Sequence, residues 1–178
     1  MFGLFRSSHR PAIEAFYGSA AAASRAPALY ASLGVPDTVE GRFESLCLHA
    51  VLALRALRRL PPPADDVAQE LVNHLFGQLE ASLREMGVGD ITVPKRMKRL
   101  AQAFYGRAAA YDEALDRGDR DALAVALGRN VLGGGPASGL AAYALAADRD
   151  LAGRDLDAFL SRGVPFPPPE RFEREPAP

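Results

Sequence analysis

Four cations crowd one short stretch of the chain. Lys95, Arg96, Lys98 and Arg99 follow at once on the segment Met86-Gly87-Val88-Gly89-Asp90-Ile91-Thr92-Val93-Pro94. Gly87, Gly89 and Asp90 stop one helix. Thr92 is placed to cap the next, and Pro94 suits a first turn, where its missing N–H has no intrahelical partner anyway. The four cations then stand in the first two turns of a helix. There the unpaired N–H groups disfavour each positive charge by roughly 0.3–1 kcal/mol. Selection for stability alone places acids at that end. The pattern has two readings, a solvated charged face or an anion-reading patch for a lipid headgroup, RNA phosphates or an acidic partner.

The remaining reactive residue types form no constellation. His9, His49 and His74 lie far apart, with no second ligand at helical spacing, so a metal site needs a tertiary coincidence. His49 and His74 read as helix-surface or satisfied interface residues. Cys47 sits on an apolar stripe, where a thiol is less acidic and less reactive. Gly133-Gly134-Gly135 has no following Gly-Lys-Ser/Thr and follows no strand, so it lacks the context of a phosphate loop. No Gly-x-Ser-x-Gly elbow is present. Glu40 and Glu44 stand one turn apart on a helix face, a spacing for acid–base work or for a solvated edge, and the edge is the better reading. The balance favours binding over catalysis, with no cofactor and no DNA.

The chain has 178 residues, of which 48% are hydrophobic, enough for one domain with its own core and too few for two comfortable ones. A net charge of −1 gives no bulk nucleic-acid or membrane signature, so any electrostatic binding is local. A lone cysteine cannot form an internal disulfide and suits a reducing compartment. No charge-free apolar stretch approaches the roughly 18 residues of a membrane span. The start, through Phe2, Leu4 and Phe5, is too short for a signal-peptide core and reads as a frayed arm or a bilayer-touching one. A soluble or peripheral protein is expected.

Apolar periodicity predicts the elements that carry these residues. Helices are expected from Pro11 to about Ser24 and, briefly, over Ala28–Leu33. Asp37 and Glu40 have the spacing of a capping box, opening a nearly surrounded helix that runs to Leu60 before Pro61-Pro62-Pro63. Arg55, Arg58 and Arg59 in its last turns fit the helix dipole without further explanation. A third long helix covers Asp65–Met86, with Glu80 and Arg84 paired outside. The next runs from Val93 to near Gly118 on the stripe Leu100, Ala101, Phe104, Ala108, Tyr111 and Leu115. Its end carries Asp112, Glu113 and Asp116, against the dipole. Asp119 or Asp121 caps a short helix through Leu127, and the glycine run is a hinge or an ordered loop passing close to another backbone. Ser138 opens an alanine-rich helix, and a last one spans Asp155–Arg162. No strand pattern occurs. The expected fold is all-α, with about six to seven helices in residues 11–162, a flexible arm in 1–10 and a Pro-rich extended or disordered tail in 163–178.

Two segments carry a family likeness. Residues 30–54 (YASLGVPDTVEGRFESLCLHAVLAL) and 83–115 (LREMGVGDITVPKRMKRLAQAFYGRAAAYDEAL) closely resemble the ubiquinol-cytochrome c chaperone family. These are the bacterial relatives of the mitochondrial factor attending newly made cytochrome b. The Leu-Arg-Glu-Met-Gly-Val-Gly-Asp block is the most specific part, and the likeness extends between Ala15 and Phe159. The resemblance implies a non-enzymatic all-α chaperone in the bacterial cytoplasm, peripheral at the cytoplasmic face of the inner membrane. Cytochrome b is the implied client, and organellar relatives also use a small partner protein and the ribosome exit.

On that reading the client or partner surface is expected at Glu40, Phe43, Glu44, Arg84, Met86, Asp90, Met97, Phe104, Tyr105 and Arg107. Adaptable thioethers and aromatic rings there would line a groove for an apolar helix. Phe104 lies on the main stripe and suits the core better than the groove, whereas Tyr105 is offset toward solvent. Lys95, Arg96, Lys98 and Arg99 would hold the anionic membrane surface. The alternative from another class is a binder of haem, quinone or lipid, or an enzyme, with a pocket around Glu40, Glu44, His49 and Arg107.

Overall fold

A computed structural model describes residues 10–172. The apolar start with Phe2, Leu4 and Phe5, His9, and the end of the tail lie outside the described residues. Eight helices follow one another: α1 Arg10–Ala23, α2 Pro27–Ala31, α3 Val39–Arg58, α4 Ala64–Glu85, α5 Val93–Asp116, α6 Arg120–Val131, α7 Ser138–Ala152 and α8 Leu156–Arg162, then a 3-10 turn Pro169–Phe172. Among the described residues there is no strand, so the fold is all-α.

The organising element is α3. From Glu44 to Leu57 only Leu46 is even half-exposed, and α1, α4, α5, α6 and α7 all pack against it. An apolar arc wider than one face requires neighbours on every side, and α3 has them. Fully enclosed Leu48, Val51, Leu52 and Leu57 meet Phe16, Tyr111, Leu123, Leu127 and Tyr143 in one continuous core.

Local starts and stops differ from expectation at particular residues. Thr38, not Asp37, caps α3: its hydroxyl accepts from the Gly41 N–H at 3.0 Å. Asp37 instead pairs with Arg42 at 2.8 Å. Thr92 does not cap α5, because it already has helical dihedrals and its side chain makes no cap bond. Asp119 caps α6 through the Ala122 N–H, and Asp155 caps α8 through the Ala158 N–H. Helix α6 also runs past Leu127 to Val131.

The glycine run is an ordered loop against a neighbouring backbone. Gly134 N–H donates to the Gly128 carbonyl at 3.0 Å, and Ala137 N–H to that of Ala124 at 3.0 Å. A Cβ on Gly128 would stand 1.7 Å from the Gly135 carbonyl oxygen, so only glycine permits the approach.

Of the two expectations for the tail, extended or disordered, the described part meets the first: residues 163–168 run extended into the 3-10 turn and lie along the bundle. The Val164 N–H donates to Ser19 Oγ at 2.8 Å, Phe166 meets the His49 ring at 4.8 Å, and Phe172 meets Tyr143 at 5.7 Å. Proline prevents a regular helix or sheet there, but it does not prevent an extended strap from burying apolar side chains. Val164, Pro167 and Pro169 are buried.

Candidate functional site

Helices α4 and α5 form a hairpin whose tip carries the basic cluster. Gly87, with φ +79°, ends α4. Val88 N–H bonds the Leu83 carbonyl at 3.0 Å and Gly87 N–H that of Arg84 at 2.9 Å, the paired bonds of a Schellman stop. Val93 is buried and pins the first turn of α5. Between Arg84 and Thr92 only Val88 is partly covered. Lys95, Arg96, Lys98 and Arg99 are all exposed, and none takes part in the ion pairs found among the described residues. Arg84 differs from them, engaging Glu80 at 2.9 Å and also Asp90. The tip also presents Met86, 57% exposed, and Ile91, 97% exposed. Ile91 was absent from the expected contact residues. Its signal was an aliphatic side chain at the apex of a turn made of Gly, Asp and Thr.

The other expected contact positions divide by direction. Tyr105 is 57% exposed and lies against Phe76, with ring centroids 6.2 Å apart. Glu40 is exposed, while Phe43, Met97 and Arg107 are half-buried. Phe104 faces inward: at 1% exposure it meets Phe76 edge-on at 5.7 Å, so the apolar stripe takes it into the core and away from any groove. Glu44 is also withdrawn, buried and bound by Nε and Nη2 of Arg107 across the α3–α5 contact, while Arg107 Nη1 donates to the Ala103 carbonyl at 3.0 Å. A two-pronged pair of this kind stays satisfied only while both partners remain in place.

The alternative pocket does not assemble. Glu44 and His49 are five positions apart, which turns them to different sides of α3. His49 is fully buried on the α7 side, where it bonds Tyr143 and the Ser45 carbonyl. Glu40 points to solvent, and the surface clefts are lined by other residues, one by Arg25, Tyr30, Asp37 and Arg42 and two along α6. Burial, with the Glu44 charge second, pushes the Cys47 thiol above its ordinary value, which disfavours the thiolate. Among the described residues no group of three or more His, Cys, Asp or Glu could hold a metal ion.

The arginines at the end of α3 have partners the sequence did not reveal. Arg55 is buried and reaches Asp112 at 2.8 Å and Asp116 at 2.9 Å on α5, and Asp148 at 3.1 Å on α7. Arg58 joins Asp112 at 3.0 Å, and Arg59 joins Asp148 at 2.8 Å. Asp112 and Asp116, which oppose the dipole at the end of α5, thus serve arginines of another helix, whereas Glu113 pairs with Arg117 one turn on at 3.2 Å. A helix end charged against its own dipole was the readable signal that a partner exists elsewhere.

The bundle pairs its buried charges internally, and its α4–α5 tip brings four unpaired cations beside exposed Met86 and Ile91 on an all-α fold. Residues 31–166 match the family model described as ubiquinol-cytochrome C chaperone, and the chain belongs to that family. It is similar to the ubiquinol-cytochrome-c reductase complex assembly factor 1 of Xenopus laevis, 28% identical over 98 residues, covering 55% of this chain and 48% of the relative. The matched part therefore spans about half the length of that protein. The crystal structure of the Cbp3 homolog from Brucella abortus superposes with a TM-score of 0.84 at 38% identity, over 94% of this chain and 97% of that one.

Proposed function

We propose that this protein is a non-enzymatic assembly chaperone for the cytochrome bc1 complex, and that it attends newly made cytochrome b at the cytoplasmic face of the bacterial inner membrane. The observation that carries the reading is the family match over residues 31–166, most of the described fold. The chemistry is compatible with it. A client made of membrane helices offers apolar faces before assembly, and a helical bundle can shelter one against its own exposed apolar side chains. Tyr105, Met86 and half-buried Met97 and Phe43 are available for that contact. Glu40 and Arg107 border it, while Arg84 and Asp90 hold the shape of the turn. No helix among the described residues is long and apolar enough to cross a membrane.

Deleting the gene tests the proposal. The assembled bc1 complex should fall severalfold while cytochrome b transcript persists, and the wild-type gene should restore it. Normal levels of assembled complex in the deletion strain would overturn the reading.

A further inference from the structure

We infer that the α4–α5 tip is a bilayer-insertion element: Ile91 and Met86 enter the interfacial layer of an anionic phospholipid membrane while Lys95, Arg96, Lys98 and Arg99 hold its headgroups. The inference deepens the membrane-facing part of the proposed function and rests on that part alone, not on the identity of the client.

A single exposed aliphatic residue means little on its own. The tip combines three independent features. Ile91 is 97% exposed at the apex of a turn that a Schellman stop and buried Val93 hold in place. Four cations stand within one and a half helical turns of each other at an end where the dipole opposes them, and no ion pair among the described residues engages any of them. Nearby acids are partly taken up, since Arg84 engages both Glu80 and Asp90 and leaves Glu85 as the exposed acid of the turn. Exposed apolar side chains on a turn that leads straight into four exposed cations match the layered chemistry of a membrane surface, acyl chains beneath anionic headgroups. RNA is the weaker match. Single strands are held by cations interleaved with aromatic rings that stack on bases, and residues 84–99 contain no aromatic.

The chain has no Trp, so Ile91→Trp places a lone reporter at the apex of the full-length protein. With vesicles of phosphatidylcholine and phosphatidylglycerol its emission should shift to the blue and be quenched by brominated acyl chains. Vesicles of phosphatidylcholine alone and a single-stranded RNA oligomer should leave it unmoved. In the otherwise natural chain, Ile91→Asp should weaken binding to the anionic vesicles about tenfold. Lys95→Glu with Arg99→Glu should remove that binding at moderate salt, and both variants should keep the parental melting temperature. Undiminished vesicle binding by Ile91→Asp would overturn insertion, and a response to RNA with none to anionic vesicles would transfer the patch to nucleic acid. If the tip variants restore bc1 assembly in the deletion strain yet lose vesicle binding, membrane insertion stands and its use in assembly falls, whereas loss of neither leaves the chaperone reading intact and sinks the insertion.

Discussion

The Nε2 atom of His49 lies 2.7 Å from the Tyr143 hydroxyl, and its Nδ1 lies 2.7 Å from the Ser45 carbonyl oxygen. A carbonyl can only accept, so Nδ1 carries the proton and Nε2 accepts from Tyr143. The neutral imidazole is therefore the form that ties α3 to α7. Phe166 of the strap closes over it.

This geometry sets a pH dependence. Burial, opposed by the Ser45 carbonyl, pushes the pKa of His49 down to about 4. An unfolded chain binds that proton near pH 6.5. Between the two values the unfolded state holds more protons, so this contribution is complete above about pH 6.5 and is lost as pH falls toward 4. The full effect is about 3 kcal/mol. Urea midpoints measured from about pH 7 to 5 should decline for the natural protein and stay flatter for His49→Gln. Equal slopes would show that His49 is not the titrating group.

A second electrostatic prediction concerns Arg55. Its removal leaves Asp148 with Arg59 alone and Asp112 with Arg58 alone, in a region that is largely buried. Breaking one side of a buried charge cluster costs about 3 kcal/mol or more. Arg55→Met should therefore lower stability by that order, measured by denaturant unfolding near neutral pH. The acid limb should change too. Burial alone would raise the Asp148 carboxyl, but hydrogen bonds from Arg59 and Arg55 outweigh it and hold it below the ordinary value. Its stabilisation is present above about pH 3.9 and lost below, so Arg55→Met should lose less on acidification than the natural chain.

Phe104 and Tyr105 are neighbours with opposite assignments. Phe104→Ala empties a site in the core and should cost about 3–5 kcal/mol. Tyr105→Ala should cost about 1 kcal/mol or less, since most of its ring is in water. Photoreactive groups at Tyr105 and Met86, in cells making cytochrome b, should crosslink to that client. Absence of crosslinks at both positions would move the client surface elsewhere.

Two glycines should respond in opposite directions to alanine. Gly128→Ala forces a Cβ into the Gly135 carbonyl, and the α6–α7 loop must shift at a cost of about 1–3 kcal/mol. Gly106 sits exposed inside α5, and a Cβ there meets nothing within 4 Å. Gly106→Ala should raise stability by about 0.5–1 kcal/mol. Thermal unfolding of the two variants side by side checks both signs.

Apolar spacing alone located the long helices, because a stripe at three or four residues has only one partner geometry in which to hide. It also marked α3 as surrounded, since an apolar arc that wide cannot face water. The basic run of α5 and the glycine stop before it were visible for a similar reason: charge against a dipole and Gly at a helix end are local facts. Cap choice was the least secure local feature, as Asp37 and Thr38 compete within one residue and Thr92 stands at the start of α5 without making a side-chain cap bond.

What the chain order concealed was pairing at a distance. Glu44 with Arg107, Arg55 with Asp112, Asp116 and Asp148, and His49 with Tyr143 each join residues of different helices. Their union depends on how the helices cross, which no periodicity encodes. Composition likewise left the proline-rich tail extended or disordered without saying where it lies, whereas the tertiary structure lays it over His49 and Tyr143 as far as Phe172. Sequence by itself determined which faces are greasy and where helices stop. Only the tertiary structure decided which charges neutralise each other, and hence that the four cations near Ile91 are among those that stay unpaired, because neutralisation acts through space and not along the chain.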